Sequence, residues 1–186
     1  MMADKMADKT PTNKDVTGQM IWEKAKTQYP ILSKVPMDFK YQPEGVKAGS
    51  NMMESYPAGE TERPANFPLN RYGLAVFSPQ TKPEDILGDV VSHYMVSSDP
   101  HVQQAYQKFQ ALSQTPQAQA ILQNLYQEAK TQGETRPYEQ WLPMSGLPNY
   151  FRGYVVNQWA PEEIAKSYTP EQRQILDQVK QYIGMK

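Results

Sequence analysis

The side chains that could do chemistry are few, and they crowd into one stretch. The chain has 186 residues and only two histidines, His93 and His101. Asp89 and His93 stand four residues apart, which on a helix puts them on one face within contact reach. A carboxylate placed there can orient an imidazole or share a metal with it. Asp99 follows just past the expected helix end and could fold back toward the pair. Asp89, His93 and Asp99 are therefore the candidates for metal-assisted or acid–base hydrolysis. The same spacing equally suits a plain hydrogen bond or an exposed ion pair. The chain has no cysteine, which removes thiolate nucleophiles, disulfides and cysteine-based metal sites. It also lacks a phosphate-binding loop, a dinucleotide fingerprint, a G-x-S-x-G elbow and an HExxH signature. No cofactor and no metal are expected.

Two arginines extend the set. Arg136 lies in Gly133-Glu134-Thr135-Arg136, where Thr135 reads as a helix cap. A cation in a first helical turn opposes the helix dipole, so Arg136 needs a carboxylate; Glu134, Glu139 and Asp89 are in range. Arg152 lies between Phe151 and Tyr154, with Tyr150 and Trp159 nearby, a setting for stacking or a buried ion pair. On the functional reading Asp89, His93, Arg136 and Arg152 converge in one polar cleft. On the structural reading the arginines only pin helices together.

Proline marks the elements that must position these groups. Of 16 prolines, eight fall from Pro30 to Pro83, a density that few helices survive. Beyond that, Asp99-Pro100, Thr115-Pro116 and Thr169-Pro170 each read as an N-cap followed by proline at the first helical position. Thr169 with Gln172, and Thr81 with Glu84, match the capping box. Apolar spacing predicts helices over 83–97, 100–112, 116–131, a short one after Thr135 carrying Trp141, then 148–158 and 170–183, with Gly184 as the last C-cap. Arg71 to Ser78 alternates as a strand, with Leu74 and Val76 on one face and Ala75 and Phe77 on the other. A lone strand needs a partner, from residues 30–70 or from another chain.

The fold class expected is mainly α with a minor strand element: a compact array of five or six helices preceded by an extended proline-rich arm. Residues 1–17 carry a duplicated Met-Ala-Asp-Lys block and read as a disordered tail without the apolar core of a secretory signal. Residues 18–70 read as a short amphipathic helix plus the arm, and 71–186 as the strand and helical domain. The aromatics Trp22, Phe39, Tyr41, Tyr56 and Phe67 are too many for a free linker, so the arm is expected to lie along a surface, its own or a partner's. Glutamine, 20 in all, covers the solvent faces of the helices without charge. That suits packing against copies of itself or a larger assembly. With 19 basic and 20 acidic residues the chain lacks the basic excess of a nucleic-acid binder. No run approaches the roughly 18 apolar residues of a membrane span.

Two resemblances follow from these residues. A strand at Leu74 to Phe77, then a turn, then the helix bearing His93, resembles the edge strand and HExxH helix of zincin metallopeptidases. Asp89 stands at the first histidine position, His93 at the second, and Val90 replaces the glutamate base, so the resemblance implies an inactive relative. The order Asp89-x-x-x-His93, Asp99-Pro100, Gly133-Glu134-Thr135-Arg136 with Trp141, Phe151-Arg152-Gly153-Tyr154 and Tyr168-Thr169-Pro170 is similar to small uncharacterised proteins of tailed bacteriophages. It implies a phage protein of the virion or the host cytoplasm. The expectation is a non-enzymatic structural or interaction protein, virion-associated or acting in assembly or ejection; the alternative is the degenerate hydrolase.

Overall fold

The structure is a computed structural model that describes residues 10–45, 53–157 and 162–185. Helix α1, Asn13–Gln28, opens the described chain. It begins inside the segment expected to be a disordered tail, because Thr12 and Asp15 form a capping box. The Thr12 hydroxyl accepts from the Asp15 N–H at 3.1 Å, and the Asp15 carboxylate accepts from the Thr12 N–H at 2.9 Å. Residues 1–9 of that tail lie outside the described residues. Ile21, Ala25 and Tyr29 point from α1 and its end into the core, as their helical spacing predicts.

Residues 30–70 do not form a free arm. They supply two strands, β1 (Met37–Tyr41) and β2 (Met53–Tyr56), to either side of β3 (Tyr72–Val76). The order is β1-β3-β2, with β1 parallel and β2 antiparallel to β3. Every residue of β3 is buried, which explains its nearly unbroken apolar run. Tyr72, Leu74 and Val76 face the helical core, while Ala75 and Phe77 form a smaller core with Tyr56 and Phe67.

The arm aromatics therefore pack within the chain, on the first of the two surfaces expected for them, where the sequence offers them as a partner-binding set. Trp22 of α1 stacks on Phe39 of β1, with ring centroids 5.2 Å apart. Tyr56 packs on Phe67 at 5.0 Å, and both are buried. Tyr41 is half-buried against the main core. Folding the arm onto the sheet satisfies the backbone and removes apolar rings from water in one step.

Six further helices follow among the described residues. Helix α2 (83–98) joins Pro83–Val90 and Val96–Ser98 through a π turn, Val91–Met95. Its N-cap is Lys82, not the Thr81 of the expected box; the Thr81 hydroxyl donates instead to the Ser78 carbonyl at 2.7 Å. Helices α3 (Pro100–Leu112) and α4 (Pro116–Thr131) start at Asp99 and Thr115 caps as expected. Helix α5 (138–157) merges the two short helices expected around Trp141 and Tyr154. Pro143 and Pro148 do not stop it: Pro143 falls at the start of a π turn, Leu142–Gly146, and Pro148 at the start of the α-helical stretch that follows, with a second π turn at Gly153–Asn157. A side chain at Gly146 would come within 2.6 Å of the Trp141 ring, so only glycine lets the turn close over the indole. Helices α6 (Glu162–Ser167) and α7 (Pro170–Ile183) complete the array. α7 has the expected Thr169–Gln172 capping box and ends at Gly184 with φ of 85°. The fold is thus mainly α with a small three-stranded sheet.

Candidate functional site

A cleft of about 720 Å³ runs between β2, α2, α4 and α5. Asp85, Asp89 and His93 enter it from α2, Arg152 from α5, and Arg136 from the loop before α5. The four groups expected to converge, Asp89, His93, Arg136 and Arg152, all line it.

Asp89 is a buried member of its lining. The residue is only 5% exposed, and an isolated carboxylate would not tolerate such burial. Three neighbours surround the carboxylate, and of these Arg152 carries the opposing charge. The Tyr72 hydroxyl of β3 donates to Oδ2 at 2.9 Å. Arg152 Nη1 and His93 Nε2 approach Oδ1 at 3.6 and 3.7 Å. Those two distances are too long for hydrogen bonds, so only the tyrosine bonds directly. Arg152 also donates through Nη2 to the Asp85 carbonyl at 3.1 Å. Its Nε is buried without a partner. Trp159, the other neighbour expected for Arg152, lies outside the described residues.

The protonation states follow from this packing. Burial lowers the His93 pKa from its usual 6.5; Asp89 pulls it up and Arg152 pushes it further down. The imidazole is therefore neutral near pH 7. Burial, then the adjacent Asp89 charge, raise the Tyr72 hydroxyl well above its ordinary value, so it stays a donor. Asp89 is fixed between a tyrosine donor and a guanidinium, contacts that suit a positioning role more than that of a base, which must reach a substrate proton.

Arg136 lines the cleft from the loop before α5. It is not in a helical turn, since α5 starts at Tyr138 after a Pro137 cap. Thr135 therefore caps nothing there. Glu134 grips the guanidinium with both oxygens, at 2.9 and 2.7 Å, and Ser145 accepts at 2.8 Å. That pairing holds the Glu134 carboxyl at about 2.

Asp99 does not join the site. Its Oδ1 caps α3, accepting from the His101 and Val102 N–H groups at 2.9 and 3.1 Å, and Oδ2 accepts from the Tyr182 hydroxyl at 2.8 Å. Asp99 and His101 therefore belong to the contact of α3 with α7, not to the cleft. Among the described residues no group of three or more His, Cys, Asp or Glu is placed to hold a metal ion.

The spacing of residues missed Tyr72, which bonds Asp89 from behind the lining, and several lining groups. Tyr72 shares the face of Leu74 and Val76, so strand alternation alone could have placed it toward α2. Glu54, Ser55, Glu60 and Glu128 gave no such signal, because they come from separate elements that meet only in the fold. No described helix is long and apolar enough to cross a membrane. Comparison with known proteins finds no family model, no curated protein and no solved structure that matches the chain.

Proposed function

We propose that the protein is a non-enzymatic interaction protein that seats a segment of a protein partner in this cleft. One observation carries the reading: all three π turns among the described residues contribute to the cleft lining. His93 comes from the first, Met144 and Ser145 from the second, and Gly153 from the third. A π turn is rarer and poorer in geometry than an α turn and tends to persist where a site needs its shape. The bonding of Asp89 to Tyr72 further favours a fixed binding wall over proton transfer. Virion or host-cell placement, and a role in assembly or ejection, form the setting of this proposal on the sequence resemblance alone.

Because the chain has no cysteine, one introduced thiol is a unique attachment point. A benzophenone on Met144→Cys reports on the cleft, and one on Gln123→Cys reports on the exposed face of α4. Photolysis in an extract of the native source is expected to give a discrete adduct from the first position and none from the second. Identical patterns from both, or no adduct from Met144→Cys, would refute the reading.

A further inference from the structure

From the charge and strand geometry of the cleft, we infer that its occupant is an extended basic peptide segment that pairs with the outer edge of β2. This rests on the cleft being the binding site, and adds what binds and how.

Among the described residues β2 lies at the rim of the sheet, with β3 on one side only. Its side chains alternate between faces. Met53 and Ser55, opposite Val76 and Leu74, point to the helical core, and Glu54 points the other way. Yet Met53, Glu54 and Ser55 all line the cleft. Residues from both faces of a strand can share one cavity only if that cavity runs along the strand's edge. The edge of a sheet offers unpaired N–H and C=O groups to an added strand.

The charges around this edge select the sign of the occupant. Glu54, Glu60, Asp85 and Glu128 line the cleft and have no ion pair among the described residues. Both lining arginines are already matched, Arg152 to Asp89 and Arg136 to Glu134, and among the described residues no lysine lines the cleft. These carboxylates, of which Glu54 also accepts from the Tyr56 hydroxyl at 3.1 Å, are dispersed over β2, its following loop, α2 and α4. They form no metal-holding cluster. Dispersed anions on opposite walls suit cations that project alternately from an extended backbone. Leu125, Ala129, Trp141 and Met144 add an apolar stretch for uncharged side chains.

The probe is an end-blocked hexapeptide alternating lysine and valine, titrated into the full chain by calorimetry. It is expected to bind, and a glutamate–valine counterpart is not. Methylating alternate backbone nitrogens of the lysine peptide removes strand pairing and should weaken binding by about tenfold or more. Spermine, a polycation without a peptide backbone, should be weaker by about the same factor. Glu60→Gln combined with Glu128→Gln should cost about tenfold in affinity without moving the thermal midpoint, since neither carboxylate makes an ion pair or side-chain hydrogen bond among the described residues. Deuterium uptake over residues 53–56 should slow when the peptide binds. Equal binding of the methylated peptide or of spermine overturns strand pairing. Equal binding of the glutamate peptide, or no binding of the lysine peptide at millimolar concentration, overturns the basic occupant. A Met144→Cys adduct without lysine-peptide binding would overturn this inference and leave the cleft reading standing.

Discussion

Asp89 and His93 illustrate how much a pair of residues says before its neighbours are known. Their spacing puts them together on α2, and the 3.7 Å approach agrees. What decides the character of the pair comes from elsewhere: Tyr72 on β3, and Arg152 on the far end of α5. Replacing Asp89 with alanine leaves the Arg152 charge buried and the Tyr72 hydroxyl unpaired, a loss on the order of 3 kcal/mol. Tyr72→Phe removes one bond to a carboxylate that keeps its guanidinium, and should cost about 1.5 kcal/mol. Urea unfolding of the two variants checks this order; equal losses would mean that Arg152 does not balance the charge. His93 adds a pH dependence of definite sign. In the unfolded chain it takes up a proton near 6.5, and in the fold only at lower pH, because burial and Arg152 outweigh the pull of Asp89. Between those two values the unfolded chain holds more protons, so stability rises with pH across the window and is lost as pH falls through it. His93→Gln should flatten that part of the stability profile relative to the unchanged chain. Identical slopes in the two would show that the imidazole does not titrate differently on folding.

At the scale of elements, local signals and long-range constraints separate cleanly. The caps at Asp99, Thr115 and Thr169 were legible because a side chain and its bonded N–H lie two or three residues apart. The α5 segment was not legible. Two prolines argue for separate helices, and the π turn that takes in Pro143 has no short sequence signature. Thr81 misled for a similar reason: its hydroxyl has a nearer acceptor in the Ser78 carbonyl. Gln172 combines both kinds of constraint. It completes the cap of α7 by accepting from the Thr169 N–H at 2.9 Å, and its amide donates across to Ser113 of the α3–α4 connection at 3.0 Å. The residue is fully buried. Gln172→Met preserves bulk but strips partners from a backbone N–H and a hydroxyl, and should cost about 2 kcal/mol. Thr169→Ala removes only the cap, about 1 kcal/mol. Thermal unfolding should rank Gln172→Met below Thr169→Ala; the reverse order would assign the stability to the cap and not to the tie between helices.

For the whole molecule, the informative change is where residues 30–70 go. Proline density and aromatic content pointed to an arm reaching for a surface, and composition could not say whose. The surface is its own sheet, because β3 has two open edges and two apolar faces that the helices alone cannot cover. β1 closes one edge, β2 the other, and Phe67 covers the face away from the helical core. α1 then locks β1 through the Trp22–Phe39 stack. Such a sheet opens as a unit, since freeing either flank exposes buried β3. Native-state hydrogen exchange should therefore find β3 among the slowest amides, with the inward-bonded amides of β1 opening at a similar free energy. Their rates should not change on dilution, because the pairing is within one chain. Phe39→Ala should raise exchange in β1 first and bring β3 up with it, by weakening the clasp of α1. An arm that lay on a second copy would behave in the opposite way, with protection of β1 and β2 falling as the protein is diluted while β3 stays closed.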